Sequence, residues 1–129
     1  MNTETTNALG IPIRSVFLEC RQWRDLPAGE TYTSARLWIN ARAIAYLPLQ
    51  YGPLSNMEDT AALYLERVGV LPGPDQYRHL ARRLREMGTD YYTAIAWHNR
   101  RECWRDGESL TAEELREELT ATAYRAVAL

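Results

Sequence analysis

The chain has 129 residues, with 15 basic and 17 acidic side chains and a net charge of −2 at pH 7. A hydrophobic fraction of 46% and a charged fraction of 25% exclude wholesale disorder. No apolar run approaches the roughly 18 residues of a membrane helix, and residues 1–10 lack the basic start and apolar stretch of a signal peptide, which points to a cytoplasmic protein with no membrane partner.

Residues 1–9 read as a polar tail and residues 10–129 as one domain. Over 11–23, Ile13, Val16, Phe17 and Leu18 give strand character. Residues 25–30 carry Pro27 and Gly29 and read as a turn. From Thr31 onward small and apolar residues alternate with Tyr32, Arg36, Trp38, Asn40 and Arg42, so a strand is expected over at least 31–41. Ala, Leu and Arg make a helix from Ser34 the alternative. The strand reading gives an antiparallel hairpin.

Pro48, Gly52 and Pro53 mark a loop. Ser55 and Glu58 have capping-box spacing and open a helix with Met57, Ala61, Tyr64, Leu65 and Val68 on one face, ended by Gly69. A second helix is expected over 75–87, buried through Tyr77, Leu80, Ala81, Leu84 and Met87 and stopped by Gly88. Residues 91–97 read as a strand, 98–101 as a turn and 102–105 as a short returning strand, with a helix from Asp90 to Gly107 as the alternative. Thr111 and Glu114 form a second capping box, flanked by Leu110 and Leu115, and start a helix running to about residue 126. The fold class is therefore α+β: an N-terminal antiparallel hairpin, a helical pair, one or more strands near 91–105, and a C-terminal helix packed on the sheet.

All fifteen basic residues are arginine. Codon bias in a GC-rich genome explains that count; selection for planar, bidentate contacts is the other reading. Their distribution is uneven. Residues 78–105 hold seven Arg against three acids, whereas 106–129 hold two Arg against six. Arg78, Arg82 and Arg85 share one face of the expected second helix. Arg100, Arg101 and Arg105 follow, between and beside Trp97 and Trp104. Such a block suits phosphates and bases, or it pairs internally with the acidic last helix.

Catalytic signals are sparse. There is no GxSxG and no Gly-rich phosphate loop. His98, near Arg100 and Glu102, could handle a phosphate; a structural role is the alternative. Arg neighbours could lower the Cys103 thiol pKa. Cys20 and Cys103, like the two histidines, are too few and too far apart for a disulfide framework or a zinc site, so no metal or cofactor is expected.

Trp, Tyr and Arg are the side chains most enriched at binding hot spots. Trp23, Tyr32, Trp38, Tyr46 and Tyr51 are candidates on the first sheet and its exit, with Tyr32, Arg36, Trp38, Asn40 and Arg42 expected on one face. With Arg78, Arg82, Arg85, Trp97, Arg100, Arg101, Trp104 and Arg105 they form the candidate partner surface. A helix covering that face, with Trp38 in the core, is the alternative. These features suit a non-enzymatic protein that binds another protein as inhibitor or adaptor, of the kind mobile elements carry. A nucleic-acid-binding module using 78–105 and a small phosphate-handling enzyme using His98 are the competing readings. An exposed edge strand would also allow homodimerisation.

Overall fold

The computed structural model describes residues 7, 9–73 and 78–128, with side chains to residue 121. Among the described residues the chain forms a four-stranded mixed sheet and three α-helices, an α+β domain. Strand β1 spans Ser15–Asp25, β2 Glu30–Ile39 and β3 Arg42–Tyr51. Helix α1 spans Leu54–Arg67, α2 Leu80–Glu86, β4 Asp90–Trp97 and α3 Ala112–Ala128. Of the expected tail, residues 1–6 and 8 lie outside the described residues, while Leu9 is buried in the core.

The hairpin of β1 and β2 forms as expected, closing at Gly29, which adopts φ 71° and donates to the Asp25 carbonyl at 2.6 Å. The expected strand 31–41 ends sooner. Asn40 and Ala41 both take left-handed φ, 49° and 65°, the geometry of a two-residue hairpin turn, and the chain reverses into β3. Asn40 stabilises the reversal through its side chain, accepting from the Arg14 amide at 2.7 Å and donating to the Pro12 carbonyl at 3.0 Å. Pro48 therefore lies within β3, at one of two register irregularities against β2. A missing N–H is tolerated there because the ladder is already broken.

The strand period separates two faces. The inner face carries Val16, Leu18, Ala35, Leu37, Ile39, Ala45 and Leu47, all buried. Helix α1 packs on it through Met57, Ala61 and Leu65. The Ser55–Glu58 capping box does not form. Pro53, with extended backbone, is the N-cap and the helix begins at Leu54, so Ser55 falls inside the first turn; Glu58 instead accepts from the Tyr91 hydroxyl at 2.7 Å. Helix α2 is shorter than 75–87. Residues 74–77, including Tyr77, lie outside the described residues, and Arg78 and His79 hold left-handed φ of 63° and 41°, which excludes them from the helix. Leu80, Leu84 and Met87 are buried as expected.

These helices form the crossover that brings β4 parallel to β1, giving the order β3-β2-β1-β4. No returning strand exists at 102–105. Arg100–Glu102 is a single 3₁₀ turn capped by Asn99 and Glu102. The chain then runs as a strap from the outer sheet face to the free edge of β3, where the Leu49 amide donates to the Trp104 carbonyl at 2.8 Å and the Leu110 amide to Ile44 at 3.1 Å. Helix α3 starts with the expected capping box: the Glu114 amide donates to Thr111 Oγ1 at 3.3 Å and the Thr111 amide to Glu114 Oε1 at 3.1 Å. Its Leu115 and Leu119 are buried in the common core. No helix is long and apolar enough to cross a membrane among the described residues.

Candidate functional site

The helices cover the inner face, which leaves the outer face of the sheet to be explained. Cross-strand register sets its rows. The first holds Tyr92, Phe17, Trp38 and Ala43; the second Ala94, Glu19, Arg36 and Tyr46; the last Trp23, Tyr32 and Tyr51.

The middle of this face is a charged and aromatic stack. Glu19 Oε1 accepts from Arg36 Nε at 2.9 Å and from the Trp38 indole N–H at 3.1 Å. Burial alone would raise the Glu19 carboxyl, but these two hydrogen bonds and the positive charge of Arg36 outweigh it and hold the pKa below the usual 4.5. The Arg36 guanidinium lies 4.8 Å from the Trp38 ring and 5.3 Å from Trp104. Arg21 also lies over the Trp104 ring, 4.3 Å from its centroid, and donates to the Glu102 carbonyl at 2.7 Å. The Trp104 amide donates to the buried Ser34 hydroxyl at 3.1 Å. Trp38 is thus half-buried, with Phe17 beside it and the Arg36 guanidinium over its ring, in place of an open Arg–Trp–Arg ladder.

One end of the sheet is different. Strands β1, β3 and β4 finish there, and β2 begins. Trp23 and Tyr32 rings lie 5.3 Å apart, and Tyr32 meets Tyr51 edge-on at 5.7 Å. Arg100 places its guanidinium 5.5 Å from Trp23. A cleft of about 340 Å³ is lined by these four residues with Asp25, Leu49 and Gln50. The Tyr32 hydroxyl donates to Glu30 at 3.1 Å, and this bond raises its pKa. Among the described residues the three most exposed large apolar side chains belong to this end of the sheet: Leu26 at 80% in the turn, Tyr51 at 62% beside Tyr32, and Trp97 at 63% on the opposite face of β4.

The structure therefore gathers Tyr32, Arg36, Trp38, Arg100 and Trp104 of the expected surface on the outer face, and leaves others elsewhere. Arg42 faces inward opposite Ile39 and pairs with Glu118 of α3, because the Asn40–Ala41 turn moves it to another strand. Arg78, Arg82 and Arg85 do not share a helical face, since Arg78 precedes α2. Arg78 and the buried Arg83 each pair with Glu66 at 3.0 Å, and Arg82 with Glu86 at 3.1 Å. Arg85, Arg101 and Arg105 are exposed, with no ion pair among the described residues. Helix α3 pairs through Glu118 with Arg42, while Arg78 and Arg83 of the basic block are tied to α1 and Arg82 to its own helix.

Neither thiol is activated. Cys103 is buried, and burial raises its pKa despite opposing effects of Ser34 and Arg21. Cys20 is pushed up to about 12 by burial and by Glu58 and Glu19. His98 Nδ1 lies 3.9 Å from Glu102 Oε2. No group of three His, Cys, Asp or Glu side chains converges among the described residues. Trp23 and Tyr51 were expected as candidates on the first sheet and its exit; Trp23 reaches Tyr32 through the expected hairpin, whereas Tyr51 reaches it only through the unforeseen reversal at Asn40. Compared with protein-family models, curated proteins and solved structures, the chain matches none.

Proposed function

We propose that this chain is a non-enzymatic binding protein whose partner is another protein, engaged at the end of the sheet formed by Trp23, Leu26, Tyr32 and Tyr51. The observation that supports this most is the strong exposure of Leu26 and Tyr51 there, beside a row of neighbouring aromatic rings. Aromatic side chains bury large areas at low entropic cost, and exposed apolar groups gathered at one place mark interaction sites. Asp25 and Arg100 line the cleft beside the row with charges of both signs, as at the polar rim of a protein interface. Inhibitor and adaptor are the roles that fit a small protein acting by occupancy.

The test is affinity capture from cells of its source with the wild type, Tyr51→Ala and Leu26→Asp. Both positions are exposed, so the variants keep the fold. A protein held by the wild type and released at least about tenfold more readily by each variant, roughly 1.4 kcal/mol, supports the reading. Recovery of nucleic acid in its place, with affinity falling steeply as salt rises, would transfer the function to Arg85, Arg101 and Arg105.

A further inference from the structure

The two edges of the sheet are treated differently. The edge of β3 is covered by the strap, through backbone bonds from Leu49 to Trp104 and from Leu110 to Ile44. Among the described residues no backbone pairs with the outer edge of β4. Open edges are ordinarily blunted by charge, proline or a bulge. Strand β4 has none of these between 91 and 97: it reads Tyr-Tyr-Thr-Ala-Ile-Ala-Trp, with Tyr92 56% and Ile95 45% exposed.

From this edge we infer that the chain forms a two-fold symmetric dimer by antiparallel pairing of β4 with β4 of a second copy. The ends of the strand argue for a second copy as the occupant. Asp90 opens it, and His98, Arg100 and Arg101 follow it. Antiparallel self-pairing sets the acidic end of one copy against the basic end of the other, while the middle is neutral and repels nothing. Backbone geometry narrows the register. The amides of Asp90 and His98 point to β1, donating to Arg14 at 2.9 Å and Gln22 at 2.7 Å. In this parallel ladder the even-numbered residues thus face β1, and 91, 93, 95 and 97 turn their N–H and C=O groups outward.

A two-fold axis at Ala94 satisfies both constraints. It pairs Asp90 with His98, Tyr91 with Trp97 and Thr93 with Ile95, odd residue to odd, each outward pair exchanging two hydrogen bonds. On the other face it sets Tyr92 opposite Ala96, large against small, and Ala94 opposite itself. The four strands of each copy then form one continuous sheet.

Sedimentation equilibrium of the full chain, with a cysteine placed at the axis, tests this. The wild type is expected to sediment as a concentration-dependent dimer. Thr93→Pro removes an outward N–H without touching the β1 ladder and is expected to give a monomer with the wild-type circular dichroism spectrum and melt. Ala94→Cys lies at a non-hydrogen-bonded pair, where side chains approach closely, and is expected to form an intermolecular disulfide under mild oxidation; Ala96→Cys is not. A wild type that stays monomeric up to millimolar concentration overturns the proposal, even if β4 captures an unrelated extended peptide. So does a dimer unaffected by Thr93→Pro, or crosslinking of Ala96→Cys in preference to Ala94→Cys.

Discussion

Glu19 shows how one side chain can hold the outer face together. Its carboxylate receives Arg36 and Trp38, and through Arg36 it also orients the stack that seats Trp104. Because the folded pKa lies below the unfolded value near 4.5, the folded state favours the charged form. The stabilisation is present above pH 4.5 and is lost as pH falls through the folded value. Glu19→Gln is therefore expected to melt below the wild type at neutral pH, with the two melting temperatures converging in acid. Thermal melts at a series of pH values check this; a gap that stays constant in acid would remove the charge from the explanation. The composition gave the arginines but not their partners. Arg83 was legible only as one of a basic block, yet it is buried against Glu66, donates to the Arg78 carbonyl at 3.1 Å and bonds the Pro72 carbonyl. Arg78 was placed on a helix because helical spacing carries no warning of a left-handed φ at a non-glycine residue.

Elements were readable where local chemistry agreed with tertiary demand. Thr111–Glu114 and Ser55–Glu58 have the same capping-box spacing, and only the first forms. The difference lies in the preceding residues. Pro53 has the fixed φ that suits a helix entrance, so α1 starts upstream of Ser55, and β4 takes Glu58 through Tyr91. Nothing upstream of Thr111 competes. Thr111→Ala is accordingly expected to cost about 1 kcal/mol in chemical denaturation, while Ser55→Ala, without a capping bond to lose, changes stability by much less. Equal losses would contradict the assignment of the helix start. The strand expected over 31–41 forms, but its end at Ile39 was not legible, for a related reason. The alternation of 31–49 runs through both β2 and β3, and the turn uses Asn40-Ala41, not an Asn-Gly signal, so one long strand and two short ones look alike in pattern. Trp23 and Tyr32 meet through the expected hairpin, but the place of Tyr51 was hidden, since it reaches Tyr32 only after the second reversal.

At the scale of the whole molecule the strap closes the fold. After β4 the chain crosses the outer face at Trp104, covers the β3 edge and delivers α3 to the core beside α1, where the Tyr64 hydroxyl donates to the Leu110 carbonyl at 2.7 Å. Gly107 permits the passage: it holds φ 149°, and a Cβ there would lie 2.5 Å from the Tyr46 ring. The strap has no regular period, and its bonds are to distant backbone, which is why 98–110 resisted sequence reading. Its contribution follows from what it buries. Leu115 and Leu119 are almost wholly enclosed, and each such leucine stabilises by roughly 1.5–3 kcal/mol, against about 5–15 kcal/mol for a whole domain. A chain ending at Asp106 loses both leucines and the edge bonds of Tyr46 and Ile44. It is expected to melt without a cooperative transition, to bind a hydrophobic dye and to associate through the bared β3 edge as well as through β4. Calorimetry and light scattering on the truncated and full chains measure this; a truncated chain with an unchanged cooperative melt would show that sheet, α1 and α2 fold as a unit without the strap.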